Sequence, residues 1–240
     1  MLIAIINEST LLSNTDVYKM TGAVGKQMTW HVAPAWNQKP PSVLFYPDKT
    51  KVPANAWLVT MLDNADQAGI LGYHSEDNDR IDAFIFAKPV LDNGGVALRD
   101  PQNPQNFSVA SVLSHEVCEM FGDPFANWWS DGPKLTQGGE YALELCDAVE
   151  GDSYDITLTS GELVAVSNFV LPQWFNPEAT TKDAPFDYLK KLTKPFSMTP
   201  GGYLIVRQSG RVSQVFGAQM PAWKQESKKN TFARNQMNRK

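Results

Sequence analysis

Cysteine is scarce in this chain. Only Cys118 and Cys146 occur in 240 residues. That excludes a disulfide framework, and their spacing is not that of a Cys-x-x-Cys zinc module. A reducing compartment, or no redox demand, is the simpler reading. Charge of one sign is also in short supply. A net charge of −5 is mild, and nothing in the overall balance suggests nucleic acid. Long apolar runs are missing: none approaches the ~18 residues of a membrane span, so no membrane partner is expected. The opening MLIAIINEST is apolar without a basic flank, unlike a secretory leader, and the expected location is cytoplasmic or virion-associated. No internal repeat is visible. What the chain does have is apolar content, 42% of its residues. That is enough for a sizeable core in one large domain, or in a domain with a subdomain.

Periodicity orders the elements. LIAIINES (2–9) is apolar and β-branched and reads as a buried strand. Val17, Met20, Val24 and Met28 sit at helical spacing behind a cap at Ser13 or Asn14, and this helix is expected to end before Pro34. SVLFYP (42–47) and AWLVTMLD (56–63) read as strands, QAGILGYHSED (67–77) as an irregular edge strand, and RIDAFIFAKPVLD (80–92) as a further strand by its alternation. SVASVLSHEVCEMFG (108–122) forms a second helix, with Ser108 as cap and Gly122 as stop. Beyond it, EYALELCDAVE (140–150) mixes helix and strand character. Residues 153–171 read as a hairpin around Thr159-Ser160-Gly161, and 201–217 as another turning at Ser209-Gly210. The closing KQESKKNTFARNQMNRK is polar and basic, by composition a disordered arm. The fold class is α+β: a mixed sheet packed on two helices over 1–125, a β-rich C-terminal subdomain over 126–222, and a basic tail over 223–240.

The chemistry concentrates in VLSHEVCEMFGDP (112–124). On a helix, His115 and Glu119 are four residues apart and project from one face. An imidazole nitrogen and a carboxylate oxygen both suit zinc. Glu116 lies about 100° round the helix. In an H-E-x-x-H helix that offset places the glutamate where it serves as general base for a metal-activated water. Here Glu119 stands at the second histidine position. The helix is otherwise apolar (Val112, Leu113, Val117, Met120, Phe121), which argues against three polar residues as surface decoration. Asp123 reads as a brace for the turn before Pro124. GGEYALELCDAVEGD supplies further carboxylates. Glu144 and Asp147 are three apart and share a face if that segment is helical, whereas Glu150 and Asp152 beside Gly151 read as turn residues.

Strand, helix, three strands with one at the edge, and then the H-E helix resemble the catalytic core of the zincin metallopeptidases, over roughly residues 1–125. The extended motif is similar to that of the metzincin group, H-E-x-x-H-x-x-G-x-x-H, and reads here His115, Glu116, Glu119, Gly122 and Phe125. Phe125 cannot bind metal. Other zincins take a third ligand from a later acidic segment, which implies Asp147, with Glu144 nearly equal and Asp123 a further candidate. In zincins the edge strand lines the substrate groove, which implies that His74 in GYHSED touches substrate. The chain as a whole resembles a family of uncharacterised bacterial and phage proteins carrying SHEVxE…GDP, ELCDxVEGD and VSNFVLPxWF.

The expectation is a zincin-like, metal-dependent hydrolase, a peptidase acting on a peptide or protein substrate. Zn²⁺ would be held by His115, Glu119 and Asp147 or Glu144, and Glu116 would activate water. Two anionic ligands nearly neutralise the ion. They weaken its Lewis acidity relative to three histidines and shift preference towards Mn²⁺, Fe²⁺ or Ca²⁺. The alternative is an inactive zincin-like structural or binding component of a phage particle or tail. Its basic C-terminal arm would then dock on a protein partner or a neighbouring subunit.

Overall fold

Strand β1 (Leu2–Asn7) is buried from Ile3 to Ile6 on both of its faces, a pattern that belongs to an inner strand of a covered parallel sheet. The computed structural model describes residues 1–66, 69–77, 80–104, 106–133 and 139–238. In it β1 lies between β2 (Ser42–Tyr46) and β3 (Trp57–Leu62), parallel to both. β3 pairs in parallel with β5 (Arg80–Phe86), and β4 (Gly72–Asp77) closes the sheet antiparallel to β5. The order is β2-β1-β3-β5-β4. Residues 67 and 68 of the expected edge strand lie outside the described residues.

Helices α1 (Asn14–Gln27) and α4 (Val109–Gly122) cover the face that carries Ile3, Ile5, Val59, Met61, Ala83 and Ile85. Ser13 caps α1 by accepting from the Asp16 amide at 3.0 Å. Ser108 and Ser111 form a reciprocal capping pair at the start of α4. Two expected boundaries change. The first helix does not stop before Pro34. It runs through a π-helical turn, Met28–Val32, into α2 (Ala33–Ala35), and the wider i→i−5 bonding of that turn loosens the helix ahead of the Pro34 ring. The strand expected over 80–92 ends at Phe86 and passes into a short helix, α3 (Ala87–Asp92).

The C-terminal half completes the burial of α4. The hairpin of β8 (Ser153–Thr157) and β9 (Leu163–Ser167) packs on α1 and α4 from the side away from the sheet. Leu145, Cys146, Val164, Val166 and Phe169 join the same core as Ile3 and Ile5. A buried polar triangle pins these elements. Ser114 Oγ donates to Gln27 Oε1 at 2.7 Å, the Ser167 amide donates to Ser114 Oγ at 2.9 Å, and Gln27 Nε2 donates to the Ser167 carbonyl at 2.8 Å. A second, antiparallel sheet has the order β11-β10-β7-β6, from β6 (Trp129–Asp131), β7 (Glu140–Ala142), β10 (Tyr203–Gln208) and β11 (Arg211–Phe216). Its β10–β11 turn places Ser209 at φ 50° and Gly210 at φ 74°, the positive-φ pair of a tight hairpin turn.

The tail is not a disordered arm. Residues Ala222–Asn238 form helix α5, and residues 239 and 240 lie outside the described residues. Lys224 and Lys228 of α5 approach Glu150 Oε1 at 3.2 and 3.1 Å, and all three side chains are buried. Trp223 meets the Phe107 ring at 5.1 Å between centroids. Composition shows the polarity of this segment but not the buried carboxylate that receives it. An arm expected to reach another surface is instead a helix docked on its own chain.

Gly122 is the last residue of α4 and does not adopt a positive φ, so it is not a left-handed stop; Asp123 caps the end. Its role is steric. A Cβ at residue 122 would lie 2.1 Å from Leu145 Cδ1, so the glycine admits Leu145 and thereby seats the 145–147 segment on the helix. In an ordinary helix Gly→Ala gains up to ~1 kcal/mol. Here Gly122→Ala is expected to lower stability by about 1–3 kcal/mol through overpacking, read as a shifted midpoint in a urea titration. An unchanged or raised midpoint would show that Leu145 simply moves aside.

Candidate metal centre

Because α4 is enclosed by sheet, hairpin and α5, its polar residues are buried with it. His115, Glu116 and Glu119 are each 5% exposed or less. His115 Nε2 lies 3.0 Å from Glu119 Oε1 and 3.3 Å from Asp147 Oδ1. One ring nitrogen carries at most one proton and cannot serve both oxygens. Among the described residues, neither Glu119 Oε1 nor Asp147 Oδ1 has a hydrogen-bond partner, though both are buried. Ligands at about 2.1 Å around a tetrahedral ion stand about 3.4 Å apart. The three ligand atoms lie within 4.8 Å of one another, close enough to meet on one ion. His115, Glu119 and Asp147 form a group that fits a metal ion.

Local structure explains who takes part. The segment 143–150 is not one helix, so Glu144 and Asp147 do not share a helical face. A short 3₁₀ turn, Asp147–Val149, follows the buried Leu145 and Cys146 and brings Asp147 to His115. Glu144 borders a smaller adjoining cavity of about 30 Å³, together with His74, Glu116, Glu119 and Asp147. Asp123 turns away from the ion position. Its carboxylate accepts the Trp128 amide at 2.6 Å and braces the turn after the helix. Phe125 is 43% exposed.

His74, expected at a substrate groove, is instead turned inward and only 4% exposed. The reason is strand alternation: Gly72 and His74 point from β4 towards α4, while Tyr73 points away into a separate cluster with Ile70 and Phe86. His74 Nε2 donates to the Asp123 carbonyl at 3.0 Å, and Nδ1 lies 3.5 Å from Glu116 Oε2. Gly72 permits this approach. A Cβ there would meet Glu116 Oε1 at 3.0 Å and Val112 Cγ1 at 3.1 Å.

The electrostatics follow from burying like charges together. Burial raises Glu119 well above the usual carboxylate range, and the charge of Asp147 raises it further, against the pull of His115. Glu144 is raised well above its usual range by burial and then by Glu119. Burial alone would lower both histidines, but the carboxylates reverse it. His115 stands well above its ordinary value because of Glu119 and Asp147, and His74 is raised by Glu116 and Glu144. Without metal, protons hold the place of a cation.

Three residues beside the site, Glu150, Lys224 and Lys228, are placed differently from a reading of the sequence. Glu150, expected as a turn residue, is the buried anchor of α5. Burial works against its carboxylate, but Lys224 and Lys228 overcome it and hold the group at about 2. Lys228 carries its charge to the edge of the metal group, lining both the small cavity and a larger cleft of about 400 Å³. Its spacing of four from Lys224 is a helical signal in what reads as a tail. Tyr203 of β10 stands against Asp147, and burial pushes its hydroxyl well above the phenol range. No family model, no curated protein and no solved structure matches this chain.

Two outcomes follow from this geometry. Glu119→Ala is expected to lose most of the bound metal in elemental analysis, while Glu119→His keeps an ion on His115 and Asp147 at unchanged spacing. Equal metal content in wild type and Glu119→Ala would remove Glu119 from the ligand set. The second outcome concerns Glu150. A carboxyl depressed in the folded state stabilises above its unfolded value and loses that contribution as pH falls through the folded one. A drop from about 4.5 to about 2 is worth about 3 kcal/mol. Glu150→Gln should therefore cost that order of stability at neutral pH, and the deficit should shrink between pH 4.5 and 2. A pH-independent deficit in denaturant titrations would contradict the ion-pair account.

Proposed function

We propose that the protein is a metal-dependent hydrolase of the zincin type, acting on peptide bonds. One observation carries the reading: Glu116 lies between the two cavities, lining the large cleft and also the small cavity that holds Glu119 and Asp147. It is therefore positioned to work on a substrate in the cleft beside an ion held by its helix neighbours. His115, Glu119 and Asp147 would hold a divalent ion. Their one nitrogen and two carboxylates suit Zn²⁺ and harder ions such as Mn²⁺. When bound, such an ion acts as a Lewis acid, polarising a carbonyl and acidifying water.

The residues of the chain supply the remainder. Glu116 Oε2 is steadied by His74, which Asp123 holds in turn. Glu116 takes the proton from the attacking water and passes it to the departing amine, a general acid–base exchange on one carboxylate. Lys228, buried beside the cluster, offers positive charge to the developing oxyanion. The cleft mixes apolar walls, Leu71, Val112 and Trp223, with the amides of Asn103 and Asn106. That mixture suits an extended peptide, with its carbonyls and side chains on alternate sides.

Glu116→Gln removes the base while preserving shape. It is expected to keep the ion held by His115 and to lower casein hydrolysis by at least ~10²-fold. Hydrolysis that survives Glu116→Gln, or wild-type protein that binds no divalent metal, would sink the hydrolase reading.

A further inference from the structure

The geometry points to a second divalent-cation site, formed by His74, Glu116 and Glu119, with Glu119 shared between it and the His115 centre. The inference takes that centre as its neighbour and adds to it. The three side chains are buried, and their ligand atoms lie within 4.8 Å of one another.

His74 is set up as a ligand. A backbone carbonyl can only accept, so Nε2 must carry the proton it gives to Asp123 at 3.0 Å. In the neutral ring this leaves Nδ1 with its lone pair facing the carboxylates. Fixing one ring nitrogen on a carbonyl to free the other is how metal-binding histidines are oriented. Nδ1 stands 3.5 Å from Glu116 Oε2. That is long for a hydrogen bond, yet it matches the ~3.4 Å between two ligands of one tetrahedral ion.

Charge gives an independent argument. The small cavity is bordered by four carboxylates, Glu116, Glu119, Glu144 and Asp147. One divalent ion leaves two of those charges unmatched, and Lys224 and Lys228, sharing Glu150 at 3.2 and 3.1 Å, leave a single positive charge to face them. Glu144 belongs to neither group but borders the same cavity, and among the described residues its buried Oε2 has no hydrogen-bond partner. An unpaired carboxylate oxygen in such a place is a strong call for a cation. A second divalent ion would offset the negative charge that remains. It also occupies Glu116, so the second ion and the base role of Glu116 exclude one another, and a second equivalent should depress hydrolysis supported by the first.

The test is manganese binding by the full-length chain, stripped with a chelator and dialysed against Mn²⁺, with metal counted by elemental analysis. Two Mn²⁺ per wild-type chain are expected, and one in His74→Ala and in the more conservative His74→Gln. Because Glu119 touches both ions, the bound pair should give a spin-coupled electron paramagnetic resonance signal rather than two independent six-line spectra. One Mn²⁺ in wild type and variants alike would overturn the second site and leave the hydrolase reading standing. No bound metal, with Mn²⁺ or Zn²⁺, would overturn both. Two ions in wild type and also in both His74 variants, or two uncoupled ions, would overturn the assignment to His74 and Glu119.

Discussion

Four carboxylates meet at one end of a buried helix, and the surrounding structure answers their repulsion. Glu116 and Glu119 come from α4, Glu144 and Asp147 from the segment after β7, and all four border one cavity of about 30 Å³. Isolated charges in such a place would neutralise or unfold the site. The structure surrounds them with cations of its own: His115 and His74 within the cluster, and Lys228 at its edge. Among the described residues, Glu119 Oε1, Asp147 Oδ1 and Glu144 Oε2 are still buried without a hydrogen-bond partner. Such a site fits an ion from outside, whose binding energy would then become folding energy.

Close packing is what keeps this arrangement together. Gly122 lets Leu145 enter the end of α4, which places Asp147 opposite His115. Gly72 lets the edge strand descend onto Glu116, which places His74 there. Each glycine stands one residue type away from a clash, and each brings a ligand from a distant part of the chain to the helix. α5 closes the third side, held by Glu150 between two lysines. Two of the charges that α5 carries, on Lys224 and Lys228, are matched inside the molecule.

Much of the scaffold was legible in the sequence because local pattern and tertiary burial agree there. β1, β3 and the two hairpins have short apolar or alternating runs bounded by turn residues, and they form where expected. Ser13 and Ser108 are the caps that their side chains suggest. His115 and Glu119 face one another because helical spacing alone puts them together. The rest depends on contacts that spacing cannot express. Asp147 rather than Glu144 reaches His115 because the chain makes a 3₁₀ turn and not a helix. His74 turns inward because the register of β4 on β5 decides which alternate residues face α4. The tail becomes a helix because a carboxylate 74 residues before Lys224 awaits it, and polar composition carries no trace of a distant partner.

The position that departs from H-E-x-x-H gains meaning from this geometry. An imidazole at residue 119 would have one nitrogen for an ion, its second usually committed to a hydrogen bond that orients the ring. A carboxylate has two oxygens and no proton to place. Glu119 belongs both to the group with His115 and Asp147 and to the group with His74 and Glu116, a dual position that a histidine could not hold. The same substitution adds a negative charge to an already crowded site, which raises the cost of the metal-free state. A glutamate at residue 119, where H-E-x-x-H would carry histidine, thus adds charge to the cluster and supplies a carboxylate common to both candidate groups.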